Sequence, residues 1–87
     1  MENKIPNHTN IQLTDKQKVA ILYAKANECN WIVKDIEGDV LAFRKKPINS
    51  YGFWLQDEKD VAPETISIDF PFLSWKDTEP FFIGDVW

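Results

Sequence analysis

Apolar residues change their spacing several times along this chain, and each change marks a structural element. Val19, Leu22, Tyr23 and Ala26 recur at i, i+3, i+4 and i+7, the spacing of one helix face. Ala20 and Ala24 add helix propensity. Thr14 precedes the run and Gln17 stands three residues on, the pattern of a capping box, while Asp15 suits the positive end of a helix dipole. The spacing predicts a helix over 15–28, with Asn27 and Asn30 at its end because Asn tolerates the left-handed conformation.

The period then shortens. WIVKDI at 31–36 and VLAFRK at 40–45 are rich in β-branched and aromatic residues and flank Glu37-Gly38-Asp39. That is a hairpin signal. A two-residue loop at Glu37-Gly38 would set Ile32 opposite Phe43 and Lys34 opposite Leu41. Trp31, Val33, Val40 and Ala42 would then share the other face. Both faces are mixed, and a one-residue change in loop length would invert the pairing. Pro47 ends the second strand. A third strand is expected over 51–56, with Tyr51, Phe53 and Leu55 on one face, and a fourth or edge segment over 65–68.

Beyond Ile68 no period organises the chain. Pro71 and Pro80 interrupt it, yet aromatic residues crowd the last sixteen positions. The expectation is an irregular tail whose Trp75, Phe81, Phe82 and Trp87 close the open side of the sheet. Trp87 and the acids Asp77, Glu79 and Asp85 are the members expected to face outward. The fold class that results is α+β: one N-terminal helix packed on a small antiparallel sheet of three or four strands, with an aromatic C-terminal tail. Residues 1–12 read as a loose polar arm and 13–87 as a single domain.

Composition sharpens this picture. Hydrophobic residues make up 44% of 87 positions, enough for a modest core but not for a deep catalytic cleft. The net charge of −4 is unevenly placed: residues 1–50 carry +2 and residues 51–87 carry −6. An acidic half argues against general affinity for nucleic acid and suits a protein partner with a basic surface. The one basic run, Arg44-Lys45-Lys46, with aromatics nearby, supports an alternative reading as a weak nucleic-acid binder.

No constellation for catalysis emerges. His8, the only histidine, lies in the expected arm, where nothing would hold an imidazole as a base. Cys29 stands alone at the wrong end of the helix for an activated thiol, so a buried structural role is expected. Asp57, Glu58, Asp60 and Glu64 are dense but lack calcium-loop spacing. The glycines are too scattered to cradle a phosphate. The reading is therefore non-enzymatic, with no metal and no cofactor. The expected partner-binding residues are Asp57, Glu58, Asp60, Asp77, Glu79, Asp85 and Trp87. No apolar run is long enough for a membrane span, and MENKIPNHTN lacks the apolar core of a secretion signal, so a cytoplasmic setting is expected.

Two stretches carry a resemblance. WIVKDIEGDVLAFRKKP supplies Ile32, Lys34, Asp35, Gly38, Leu41 and Pro47, and FLSWKDTEP supplies Trp75, Asp77, Glu79 and Pro80. Together they resemble small proteins of phages and prophages of Gram-positive bacteria, which pair such a hairpin with a Trp-x-Asp-x-Glu-Pro motif. The resemblance spans about residues 19–83 and brings no catalytic residues. It implies a viral accessory protein in the cytoplasm of a bacterial host. Such a protein would bind a host or viral protein, for example a defence component, and inhibit or redirect it.

Overall fold

The computed structural model describes residues 12–86. The expected arm, with His8, and Trp87 lie outside the described residues, apart from Gln12. The elements run α1 (Asp15–Ala26), β1 (Trp31–Lys34), β2 (Val40–Phe43), β3 (Ile48–Ser50), β4 (Phe53–Leu55), β5 (Glu64–Ile66) and β6 (Phe81–Phe82), followed by a 3-10 turn at Ile83–Asp85. One antiparallel sheet has the order β5-β2-β1-β6, and β3 and β4 form a separate hairpin. The α+β architecture of one helix on a small antiparallel sheet is thus present. The second hairpin adds a layer on the opposite side.

The helix begins as its sequence dictates. Thr14 accepts from the Gln17 amide at 3.1 Å, and the Gln17 side chain accepts from the Thr14 amide at 2.8 Å. It ends two residues before the expected boundary. Asn27 is the C-cap, but the left-handed residue is Glu28, at φ 66°. Cys29 N–H then donates to Ala24 and Glu28 N–H to Lys25, each at 2.9 Å. These are the two bonds of a Schellman ending.

The inward face of α1 is not the one the spacing selects. Gln17, Ile21 and Ala24 are buried, whereas Val19, Leu22 and Tyr23 are exposed. Apolar residues surround most of this helix, so several stripes satisfy the helical period. The deciding contact is polar: Gln17 Nε2 donates to the carbonyl of Asp69 at 3.1 Å, tying the buried stripe to the tail.

The first hairpin is shifted by one residue from the expected register. Trp31 faces Phe43, Ile32 faces Ala42, Val33 faces Leu41 and Lys34 faces Val40. The cause is Asp35, whose carboxylate accepts from the amides of Glu37 and Asp39, both at 2.9 Å. This fold-back widens the loop to residues 35–39 and separates two clean faces. Ile32, Val40, Ala42 and Ile66 pack with Ile21, Ala24, Cys29, Phe70, Leu73 and Ile83 on the helix side. Val33 and Phe43 pack with Trp54 on the other.

Residues 51–56 are not one strand. Tyr51 (φ 54°) and Gly52 (φ 89°) form a two-residue turn between Ser50 and Phe53, which face each other. Two consecutive positive φ values are what a tight hairpin turn requires. The tail does wall off the core; of the expected residues Phe81 packs against it, but the buried ones are others. Phe70, Leu73 and Ile83 are buried, while Trp75 is 40% and Phe82 is 42% exposed, and Phe81 is half-buried. Leu73 and Phe70 share a turn bond of 3.0 Å. That turn rolls Leu73 inward and leaves Trp75, two residues on, outside beneath the Lys76 ammonium at 5.6 Å.

Candidate functional site: an acidic aromatic cleft

β6 adds only two residues to the outer edge of β1, setting Trp31 against Phe82 and Ile32 against Phe81. The rings of Trp31 and Phe82 meet at 5.1 Å between centroids, and those of Phe72 and Phe81 at 4.5 Å. These rings line a cleft of about 560 Å³ whose polar wall includes Asp77, Glu79 and Asp85. Three of the expected partner-binding acids are thus brought together, with aromatic faces beside them.

The acids of this wall are held in different ways. The Asp77 carboxylate accepts from the Ser74 amide at 3.0 Å, and the Asp77 amide donates to the Ser74 carbonyl at 3.0 Å. That pair of hydrogen bonds closes the turn carrying Trp75 and Lys76. Glu79 is exposed and pairs with Lys46 at 3.2 Å. The same Lys46 ammonium stands 5.7 Å from the centre of the Trp31 ring. A cation is therefore already received by one ring and one carboxylate of the cleft, the pairing that aromatic cation sites use.

Asp57, Glu58 and Asp60 lie elsewhere, on the loop after β4. Asp57 and Glu58 are exposed, and Asp60 is half-buried against Lys45 at 3.4 Å. Each cation of the basic run has an acidic partner, since Arg44 holds Glu64 at 3.0 Å. Glu64 also accepts from the Tyr23 hydroxyl at 2.9 Å. Tyr23 and Arg44 together hold the Glu64 carboxyl below its ordinary range, and Glu64 in turn raises the Tyr23 phenol. Lys34 pairs with Asp69 at 2.7 Å and lowers that carboxyl. Burial pushes the Cys29 thiol up, which keeps it protonated and fits the structural role expected of it.

Asp35, Glu37 and Asp39 place carboxylate oxygens within 4.8 Å of one another. Asp35 is committed to the loop amides, so the cluster is accounted for by the turn it builds. Among the described residues, no helix is long and apolar enough to cross a membrane.

A second feature was not visible in the sequence. The outer face of the β3–β4 hairpin is apolar, with Ile48, Phe53 and Leu55 all exposed. Reading 51–56 as one strand hid it; the signal was the turn-forming pair Tyr51-Gly52 between Ile48-Asn49-Ser50 and Phe53-Trp54-Leu55. No family model, no curated protein and no solved structure matches this chain.

Proposed function

We propose that this chain is a small non-enzymatic binding protein that engages a basic segment of another protein through the Trp31–Glu79 cleft. The observation that supports it is Lys46, whose ammonium rests on Trp31 and Glu79 as a cationic side chain of a partner would. The −6 charge of residues 51–87 favours the same class of partner. The resemblance to phage and prophage proteins extends the proposal. The partner is then a host or viral protein, such as a bacterial defence component, and occupation of its basic segment inhibits or redirects it. The nucleic-acid alternative is weakened because Arg44, Lys45 and Lys46 each face a carboxylate.

Calorimetric titration with a lysine-rich peptide tests the reading. Binding should weaken with salt and be lost in Glu79→Lys and in Trp31→Ala, while Glu79→Lys leaves the fold intact. A single-stranded oligonucleotide should bind no tighter than about 100 μM at low salt, the ordinary non-specific range. Micromolar oligonucleotide binding, or peptide binding indifferent to Glu79, would overturn the proposal.

A further inference from the structure

The cation beside the cleft belongs to the chain itself, and the backbone explains how it comes to be there. Trp31 stands opposite Phe43, the last residue of β2. The Asn30 amide donates to the Phe43 carbonyl at 2.9 Å, and Asn30 Nδ2 donates to the Arg44 carbonyl at 3.3 Å. These two bonds tie the chain leaving β2 to the start of β1. Three residues after Arg44, Pro47 is fully buried. Lys46 lies between these fixed points, and the residue before a proline is confined to extended backbone. Its stem therefore starts from a defined place near Trp31. From there the ammonium stands 5.7 Å from the Trp31 ring centre and 3.2 Å from Glu79 Oε1.

The backbone is fixed, but the side chain is only lightly held. The Lys46 side chain is 57% exposed and that of Glu79 73%. Exposed ion pairs and exposed cation–π contacts are each weak. The neighbouring Arg44 differs: its bridge to Glu64 is half-buried and is reinforced by a bond to the Ala62 carbonyl at 2.9 Å. We propose that Lys46 is a tethered competitor for the cleft. A cationic segment of a partner takes the place of Lys46 on Trp31 and Glu79, and the released ammonium turns to solvent. This inference rests on the cleft reading above and adds the regulation of that site. A site filled part of the time by its own chain binds with an affinity reduced by the fraction left open. Lys46 thus sets the threshold that a ligand must exceed. Its removal should tighten binding, the reverse of what a residue touching the partner, or a nucleic acid, would show.

The test is calorimetric titration of the lysine-rich peptide into the parent, Lys46→Ala, Lys46→Arg and Lys45→Ala, with the Lys46 side chain of the parent followed by NMR. Lys46→Ala should bind the peptide about two- to tenfold more tightly, the scale of one exposed ion pair and one exposed cation–π contact. Lys45→Ala makes the same change of charge one residue away without vacating Trp31, and should gain clearly less. Lys46→Arg keeps a cation on the ring and the carboxylate, and should gain nothing. In the parent, the Lys46 methylene protons beside the nitrogen should be shifted upfield by the Trp31 ring and should return to solvent values at peptide saturation. Glu79-dependent binding that Lys46→Ala does not tighten, or that Lys45→Ala tightens as much, would overturn the inference and leave the cleft reading standing. An upfield shift retained at saturation would do the same. Peptide binding by neither the parent nor Lys46→Ala would overturn both.

Discussion

Trp54 donates its indole Nε1 hydrogen to the main-chain carbonyl of Lys34 across 3.0 Å. The bond joins the middle of β4 to the last residue of β1, and so fastens the second hairpin to the main sheet. Trp54→Phe keeps most of the ring but leaves that carbonyl without its donor. It should cost about 1–1.5 kcal/mol, the usual net worth of such a bond. Trp54→Ala should cost about 3–5 kcal/mol, because the Val33–Phe43 face then loses its cover. Urea unfolding midpoints would check both, and a Trp54→Phe midpoint equal to the parent's would show that the indole bond contributes nothing.

Glu28 and Tyr51 both hold positive φ without being glycine. Glu28→Gly should stabilise the chain by about 0.5–1 kcal/mol, since glycine adopts a Schellman ending without strain. Tyr51→Asn should behave similarly, since asparagine tolerates the left-handed backbone better than tyrosine. A fall in melting temperature for Glu28→Gly would mean its side chain contributes more than the backbone strain costs.

The tail separates two aromatic roles. Phe70 is fully buried and Trp75 is 40% exposed. Phe70→Ala should cost about 3–5 kcal/mol and leave a barely stable protein. Trp75→Ala should stay within about 1 kcal/mol of the parent, in the range of surface changes. Thermal unfolding of the pair decides the matter, and the reverse order would refute the packing described.

Gly38 and Gly52 have nearly the same φ, 88° and 89°, but different surroundings. A Cβ on Gly38 meets nothing within 4 Å, so Gly38→Ala carries only the backbone cost of roughly 1 kcal/mol. A Cβ on Gly52 would stand 2.8 Å from the Cβ of Ile36. Gly52→Ala should therefore be clearly worse than Gly38→Ala, and Ile36→Ala should relieve part of the difference. Equal melting temperatures for the two glycine variants would count against the docking of the loop on the turn.

The Tyr23–Glu64 bond gives stability a defined pH dependence. The folded Glu64 carboxyl lies below its ordinary value of 4.5, first through the Tyr23 hydroxyl and then through Arg44. Its contribution is present above pH 4.5 and is lost as pH falls through the lowered value. Tyr23 is raised above 10.0 chiefly by its bond to Glu64, so its contribution is full below pH 10.0 and is lost as pH rises through the raised value. Glu64→Gln should flatten both limbs of a plot of melting temperature against pH. Unchanged slopes in both ranges would dismiss the coupling.

Features set by neighbouring residues were legible in the sequence. The Thr14–Gln17 capping box, the positive φ of Gly38 and the burial of Cys29 all follow from local chemistry. Features set by one distant or unusual contact were not. The helix face turns on a glutamine bonded to Asp69, the hairpin register on the fold-back of Asp35, and the second hairpin on a tyrosine in a conformation it seldom adopts. Of the proposed cleft, Asp77, Glu79 and Asp85 were legible as outward-facing acids. Their grouping around Trp31 was not, because β6 pairs with β1 across fifty positions of chain.

That pairing also sets a schedule for synthesis. At roughly 5–20 residues per second, several seconds separate the appearance of residue 31 from that of residue 81. Throughout that interval the outer edge of β1 exists without the strand that covers it. An uncovered edge can template pairing with another nascent chain. Variants that weaken the tail, such as those at Phe81 or Ile83, should therefore lower soluble yield during expression by more than their equilibrium stability explains, and slower translation should worsen the loss.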